Sequence, residues 1–330
     1  MSNLFDPAIL FFVFGVLAGS VKSNLEIPPQ ISRFLSLYLL MALGLKGGFA
    51  LAKSGLTTEV ATSLACAVLL AFIVPALSYR LLKRVVGGFD AAAIAATYGS
   101  VSAVTFITAV QYMDNQSLPY GGHMAAAMAL MESPAIIMAV LLANSLRSKM
   151  PTAGVDDGGQ AMTGSGSVSL RKVIHESFTD GAQLLLLGAM IIGLITGDAG
   201  KAMMQPFSVD LFKGMLSFFL LDMGLSAARN FPMVRGKSPW LLSFAVLAPL
   251  AHAALALGLA LLTDQSAGNA ALLMVLAASA SYIAVPAVVR YAIPEAAPSL
   301  YVGLSLGVTF PLNILFGISL YVTTAFAVIK

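Results

Sequence analysis

Charge is what this sequence of 330 residues has least of: only 10% of its residues are charged, against roughly 25% in soluble domains. With 58% hydrophobic residues and a mean hydropathy of +0.90, a soluble globular reading is excluded. Cysteine is nearly absent too. Cys66 stands alone inside an apolar run, which excludes a disulfide framework and a thiolate zinc site. The three histidines, His123, His175 and His252, share no spacing with a serine that would make a nucleophile and its base. No cluster of His, Cys and carboxylates suggests a catalytic metal, so the chain does not read as an enzyme. The net charge of +3 comes from basic residues in short clusters between apolar runs, not from a stripe that could follow phosphates, and nucleic acid is excluded as a partner. The sixteen methionines are scattered through apolar runs as core filling.

Long apolar runs are what the sequence does have. Runs of about twenty apolar residues can cross the hydrocarbon of a bilayer, and ten appear, near 7–22, 33–52, 59–82, 89–113, 121–146, 181–198, 205–228, 239–263, 268–292 and 298–328. The expected fold class is an all-α integral membrane protein of ten transmembrane helices, with the lipid bilayer as a partner. The first run follows a segment without a basic residue and precedes no clear cleavage site, so it reads as a retained helix. The one hydrophilic stretch, Arg147 to Lys172, contains Asp156, Asp157 and a Gly/Ser-rich run and reads as a flexible linker. The chain then divides into a first five-helix repeat (1–146), a cytoplasmic linker with a lead-in helix (147–180) and a second five-helix repeat (181–330). Lys and Arg stay on the cytoplasmic side of short loops. With both termini outside, thirteen of them fall inside and five (Lys46, Lys53, Lys201, Lys213 and Lys330) fall outside, which predicts that topology in a cell inner (plasma) membrane.

The second half also repeats the first. At an offset of about 180 residues, Leu40, Gly44 and Leu45 fall on Leu220, Gly224 and Leu225, and Ser100, Ser102, Val110 and Tyr112 fall on Ser279, Ser281, Val289 and Tyr291. Pro75 meets Pro249 and Pro134 meets Pro311 at slightly smaller offsets. Five spans per copy is an odd number, so the second copy enters the membrane from the opposite face. The expectation is a 5+5 inverted repeat, an arrangement that secondary transporters use to hold substrate near the midplane.

Spans four and nine carry small and hydroxylated residues at mid-depth: Gly99, Ser100, Ser102 and Thr105 in one, Ser279, Ser281 and Pro286 in the other. Gly99 and Pro286 are suited to opening a helix, and the serines to capping one that restarts. Two facing helix starts would bind an anion without Lys or Arg; close helix packing is the plainer use of such residues. Glu132, mid-span and two residues before Pro134, is a candidate Na+ ligand with Thr105, or a proton carrier. Asp222, also mid-span, stands between an ion site and a packing role. Asn313 occupies the repeat equivalent of the Glu132 neighbourhood and offers a neutral oxygen. His252 reads as a satisfied bundle histidine, and Lys46 and Arg290 as snorkelling side chains.

Together with Gly44-Leu45-Lys46-Gly47-Gly48, Pro119-Tyr120, Glu132-Ser133-Pro134, Ala248-Pro249 and Ile293-Pro294, these residues resemble the sodium-dependent bicarbonate transporters of the SbtA type, first described in cyanobacteria. The resemblance runs through nearly the whole chain outside the linker. It implies a Na+-coupled symporter of a small anion, bicarbonate first, that works by elevator-like alternating access, with broken helices 4 and 9 in a mobile core. It further implies a homotrimer and a PII-like regulatory protein on the cytoplasmic face. The substrate residues would be Gly99, Ser100, Ser102, Ser279 and Ser281, and the cation residues Thr105, Glu132, Asn313 and Asp222, with Na+ at Glu132. Two positions depart from the family: Ala103-Val104-Thr105 stands where it reads Gly-Ser-Thr, and Tyr282 where it has Asp. A small organic acid as substrate, and a non-transporting membrane sensor or scaffold, remain alternative readings.

Overall fold

The computed structural model describes residues 5–148 and 179–329. The expected linker, 147–180, lies almost wholly outside the described residues. Among those described the chain is all helix, as an apolar chain must be where lipid offers its backbone no hydrogen bonds. In order the elements are α1 (Pro7–Ser20), α2 (Pro29–Ser54), α3 (Thr58–Leu82), α4 (Gly88–Gly99), α5 (Ala103–Asn115), α6 (Met124–Arg147), α7 (Gly181–Gln205), α8 (Phe212–Asn230), α9 (Pro239–Leu262), α10 (Ala267–Ala278) and α11 (Ala284–Ala292). The last, α12 (Pro298–Val328), contains two π-helical turns.

Helix starts follow their sequence signals. Asp6 precedes Pro7, and its carboxylate accepts the Ala8 amide at 2.8 Å. Ser238 does the same for Trp240 at 3.3 Å, ahead of Pro239. Asp180 accepts from both Ala182 and Gln183 at the head of α7. These are the residue types that satisfy a helix's first free N–H groups.

Among the described residues, seven helical stretches are long and apolar enough to cross a membrane. The ten expected runs correspond to the helices with two differences, one in the first run and one in runs six and seven, and with the interruptions expected in runs four and nine. The run 7–22 is a helix of only 14 residues. Runs six and seven form one helical stretch, Gly181–Val234, bent at Gly197, where φ is +53°, and joined through a π turn at Pro206–Asp210. Runs four and nine are each interrupted, after Gly99 and after Ala278.

Two groups of helices emerge from the packing. In the first, α1 lies against α8 and α2 against α7. Both pairs approach backbone to backbone through glycine: Gly15 and Gly224 face each other across α1–α8, and Gly48 and Gly193 across α2–α7. The remaining helices form the second group, in which α3 packs on α4 and α6, and α9 on α10. There Tyr98 and Thr309 join α4 to α12 by a hydroxyl bond of 2.6 Å, and Thr309 also donates to the Ala245 carbonyl at 2.7 Å.

Candidate functional site

The two interrupted helices meet at their breaks. Helix α4 ends where Ser100 turns extended (ψ −178°), and α5 restarts at Ala103 with Ser102 as its N-cap. The Ser102 hydroxyl oxygen accepts the Thr105 amide at 3.2 Å and the Thr105 hydroxyl at 3.0 Å. On the other side α10 ends at Ala278, Ser279 is extended, and the Ser281 hydroxyl oxygen accepts the Val285 amide at 3.2 Å in the first turn of α11. Pro286 lies in that same first turn, where a missing N–H costs nothing. The break therefore belongs to the serines before it.

The breaks bind each other reciprocally. The Ser102 amide donates to the Ser279 hydroxyl at 3.0 Å, and the Ser281 amide donates to the Thr97 carbonyl at 2.8 Å. Each extended segment thus satisfies backbone groups that the other helix's interruption has freed, the condition for irregular backbone at membrane depth. Ser279 also donates to the Leu276 carbonyl at 2.9 Å. The Ser100 hydroxyl is buried with no partner, and the Tyr282 hydroxyl, beside Ser102, makes no hydrogen bond of regular geometry. Gly99 does not open the helix by backbone freedom. It faces the Pro75 ring so closely that an added Cβ would lie 2.5–2.6 Å from three ring carbons.

A cavity of about 290 Å³ opens where the crossing faces the first helix group. Ser102, Ala103 and Val104 at the start of α5, and Ser281 to Ala284 at the start of α11, form one wall. Both helix starts therefore look into the same space, each carrying free N–H groups and the positive end of a helix dipole. Glu132 of α6 and Gln183 of α7 lie opposite, joined by a bond of 2.6 Å from the Gln183 amide to the carboxylate. Asp180, Ser36 and Tyr282 also line the space. No Lys or Arg does.

The expected site residues separate accordingly. Ser102, Ser279, Ser281 and Thr105 are brought together, and Ser100 adjoins them in the chain. Glu132 stands across the cavity from the crossing. Asn313 lies beneath it, donating to the Ala278 carbonyl at 2.8 Å and accepting the Tyr321 hydroxyl at 3.0 Å, so it holds the end of α10 with both ends of its amide. Asp222 does not line the cavity and receives the Ser32 hydroxyl within the first helix group. Lys46 is paired: its ammonium lies 3.3 Å from Asp114 and 4.2 Å above the Phe212 ring. His252 is half satisfied, its Nε2 3.4 Å from the Ser78 hydroxyl and its Nδ1 without a partner. Gln183 and Asp180 were not singled out as cavity residues from sequence, while Tyr282 was noted only as a departure from the family; the only sign for Gln183 is a lone amide inside an apolar run.

Fold and site together define an all-helical membrane protein in which two interrupted helices present their starts to one cavity. The chain belongs to the Na+-dependent bicarbonate transporter superfamily, whose profile matches residues 7–326, nearly its whole length. A comparison with curated proteins finds no match.

Proposed function

We propose that the chain is a secondary active transporter that takes up a small oxyanion, bicarbonate first, in symport with Na+. The observation that carries this reading is the convergence of the α5 and α11 starts on one cavity. Two dipole ends of roughly half a positive charge each, with free N–H groups and serine hydroxyls, suit an oxyanion better than a cation. The anion would be held by the Ser102 and Ser281 segments, with Ser100, Ser279 and Gly99 shaping the crossing. Na+ is co-substrate. The hard oxygens that fit it on this cavity are the carboxylates of Glu132 and Asp180, with Thr105 and Asn313 holding the helix ends beside it. A bicarbonate ion that enters with Na+ leaves the cavity's charge unchanged, so symport removes the electrostatic penalty of moving either ion alone.

The packing supports the inverted repeat. If α1 to α6 correspond to α7 to α12, the pair α1–α8 becomes α7–α2 on exchanging the copies, and both pairs exist, each closed by facing glycines. The pairs α3–α4 and α9–α10 exchange likewise. On this reading the chain has ten spans, with α4–α5 and α10–α11 as broken helices 4 and 9. The group α1, α2, α7 and α8 is the scaffold, and the other group carries the substrate in an elevator-like movement. We further propose an inner-membrane homotrimer with both termini outside, which a PII-like protein meets on the linker side.

Calorimetry tests the ion site. The parent is expected to bind bicarbonate more tightly with Na+ than with K+, and Glu132→Gln to bind it equally in both. A Glu132→Gln protein that keeps the Na+ preference removes Glu132 from the cation site. A small organic acid that binds tighter than bicarbonate changes the substrate and leaves the site.

A further inference from the structure

A second cavity, of about 250 Å³, lies along the same three helices as the first. On α2, Ser36 and Leu40 line the first cavity, and Leu43, Gly47 and Ala50 the second. Steps of three and four residues keep all five on one helix face. On α6, Glu132 and Ala129 line the first, and Ala125 and Met124 the second; on α5, Ile107 lines the first and Val110 the second. The two spaces thus follow one seam between the helix groups, divided by buried side chains that include Leu43, Ile107 and Met124.

At the second cavity the seam is closed by few contacts of unusual kind. Lys46 of α2 is paired with Asp114 of α5 at 3.3 Å, and the Tyr120 hydroxyl donates to the other Asp114 oxygen at 2.8 Å. Next to this pair Gly47 lies flush on Gly122: a Cβ on Gly122 would sit 2.5 Å from the Gly47 carbonyl oxygen, and one on Gly47 would sit 2.7 Å from that of Gly122. Alongside, Asn115 donates to Asp6 at 2.8 Å. The Lys46–Asp114, Gly47–Gly122 and Asn115–Asp6 contacts join the first helix group to the second, while Tyr120 braces Asp114 from within the second group. Among the described residues, Lys46 is the sole Lys or Arg lining either cavity.

We propose that the second cavity is the far vestibule of the anion's path and that Lys46 is its gate residue. The Lys46–Asp114 pair and the Gly47–Gly122 contact shut that end while the first cavity is open. When the seam opens there, Lys46 loses Asp114 and becomes the cation that an incoming oxyanion meets before it reaches the uncharged helix starts. The inference rests on the transporter reading, because only two groups that move apart give the pair something to gate.

The test uses full-length protein in nanodiscs with Cys66→Ser, so that Leu43→Cys supplies one thiol, at a buried position between the cavities. With the gate intact it should react slowly with a membrane-impermeant maleimide. Asp114→Asn should speed labelling about three- to fivefold, the fold-change of a half-buried ion pair worth about 0.7–1 kcal/mol. Gly122→Ala should speed it as well by wedging the glycine contact. Exchanging the charges, Lys46→Asp with Asp114→Lys, should restore slow labelling. Bicarbonate binding is measured on the same proteins. Labelling at the parental rate in both single variants, with parental melting temperatures and intact anion binding, overturns the gate and leaves the transporter. Labelling that responds as stated, in a protein that binds no anion, upholds the gate contact and overturns the transporter reading instead.

Discussion

Ser279→Ala probes the crossing that builds the site. In the native chain the Ser279 hydroxyl accepts the buried Ser102 amide at 3.0 Å and donates to the Leu276 carbonyl at 2.9 Å. The carbonyl keeps a partner after the change, because the amide of residue 279 also reaches it, at 3.2 Å. The Ser102 amide does not. Stranding one buried N–H costs about 1–3 kcal/mol, or a shift of about 5- to 150-fold in the folding equilibrium. Ser100→Ala is the control: its hydroxyl is equally buried but has no partner, so removing it strands nothing. Chemical unfolding in nanodiscs without bicarbonate or sodium should place Ser279→Ala below the parent by that amount and Ser100→Ala at or above it. Equal stability of Ser279→Ala and parent, or an equal loss in both variants, would refute the reciprocal bonding on which the site depends.

Other perturbations follow from single contacts. Gly99→Ala drives a methyl into the Pro75 ring and should cost about 1–3 kcal/mol by overpacking, most of it recovered by adding Pro75→Ala; thermal melts of the pair check this. Asn313→Leu frees the Ala278 carbonyl and the Tyr321 hydroxyl and should cost about 1–3 kcal/mol, with a fall in bicarbonate affinity as the end of α10 loosens. Arg147 grips Glu295 through two bonds of 2.7–2.8 Å and holds that carboxyl below its ordinary pKa. The pair's contribution is therefore complete above the ordinary carboxylate value and disappears as pH falls through the lowered one. It is worth less than about 1 kcal/mol at this exposed position, and Glu295→Gln should remove just that part of the acid-limb slope in melts between neutral pH and pH 3.

Much of this was legible in the sequence because lipid leaves the chain so little choice. An apolar run in a bilayer must be helical, so spans such as 59–82, 239–263 and 298–328 coincide with helices to within a residue or two. The interruptions were legible because Ser100–Ser102 and Ser279–Ser281 are capping residues placed where Leu and Ile would otherwise stand. The paired offsets of the serines also foretold that the two breaks would be treated alike. What sequence could not supply is partnership across long separations. From its depth alone Asp222 stands between an ion site and a packing role, and Ser32, the partner it takes, is 190 residues away. Lys46 reads as snorkelling from its place in the run, but its partner Asp114, 68 residues on, is not legible there. Gly99 looks like a helix breaker, but its lack of a side chain answers to Pro75 on another helix. The start of α7 at Gly181 is legible in the sequence, but the bond from Gln183 to Glu132, 51 residues apart, is not.

The central claim is that two helix starts hold an oxyanion whose movement is tied to Na+. It is tested most directly by uptake of labelled bicarbonate into proteoliposomes of the purified chain under an inward Na+ gradient, with K+ in its place as the control. The account predicts accumulation that needs the Na+ gradient, collapses with a sodium ionophore, and is lost in the Ser102→Ala, Ser281→Ala double variant. Equal uptake with Na+ and K+, or no uptake by a protein that is folded and correctly inserted, would contradict it.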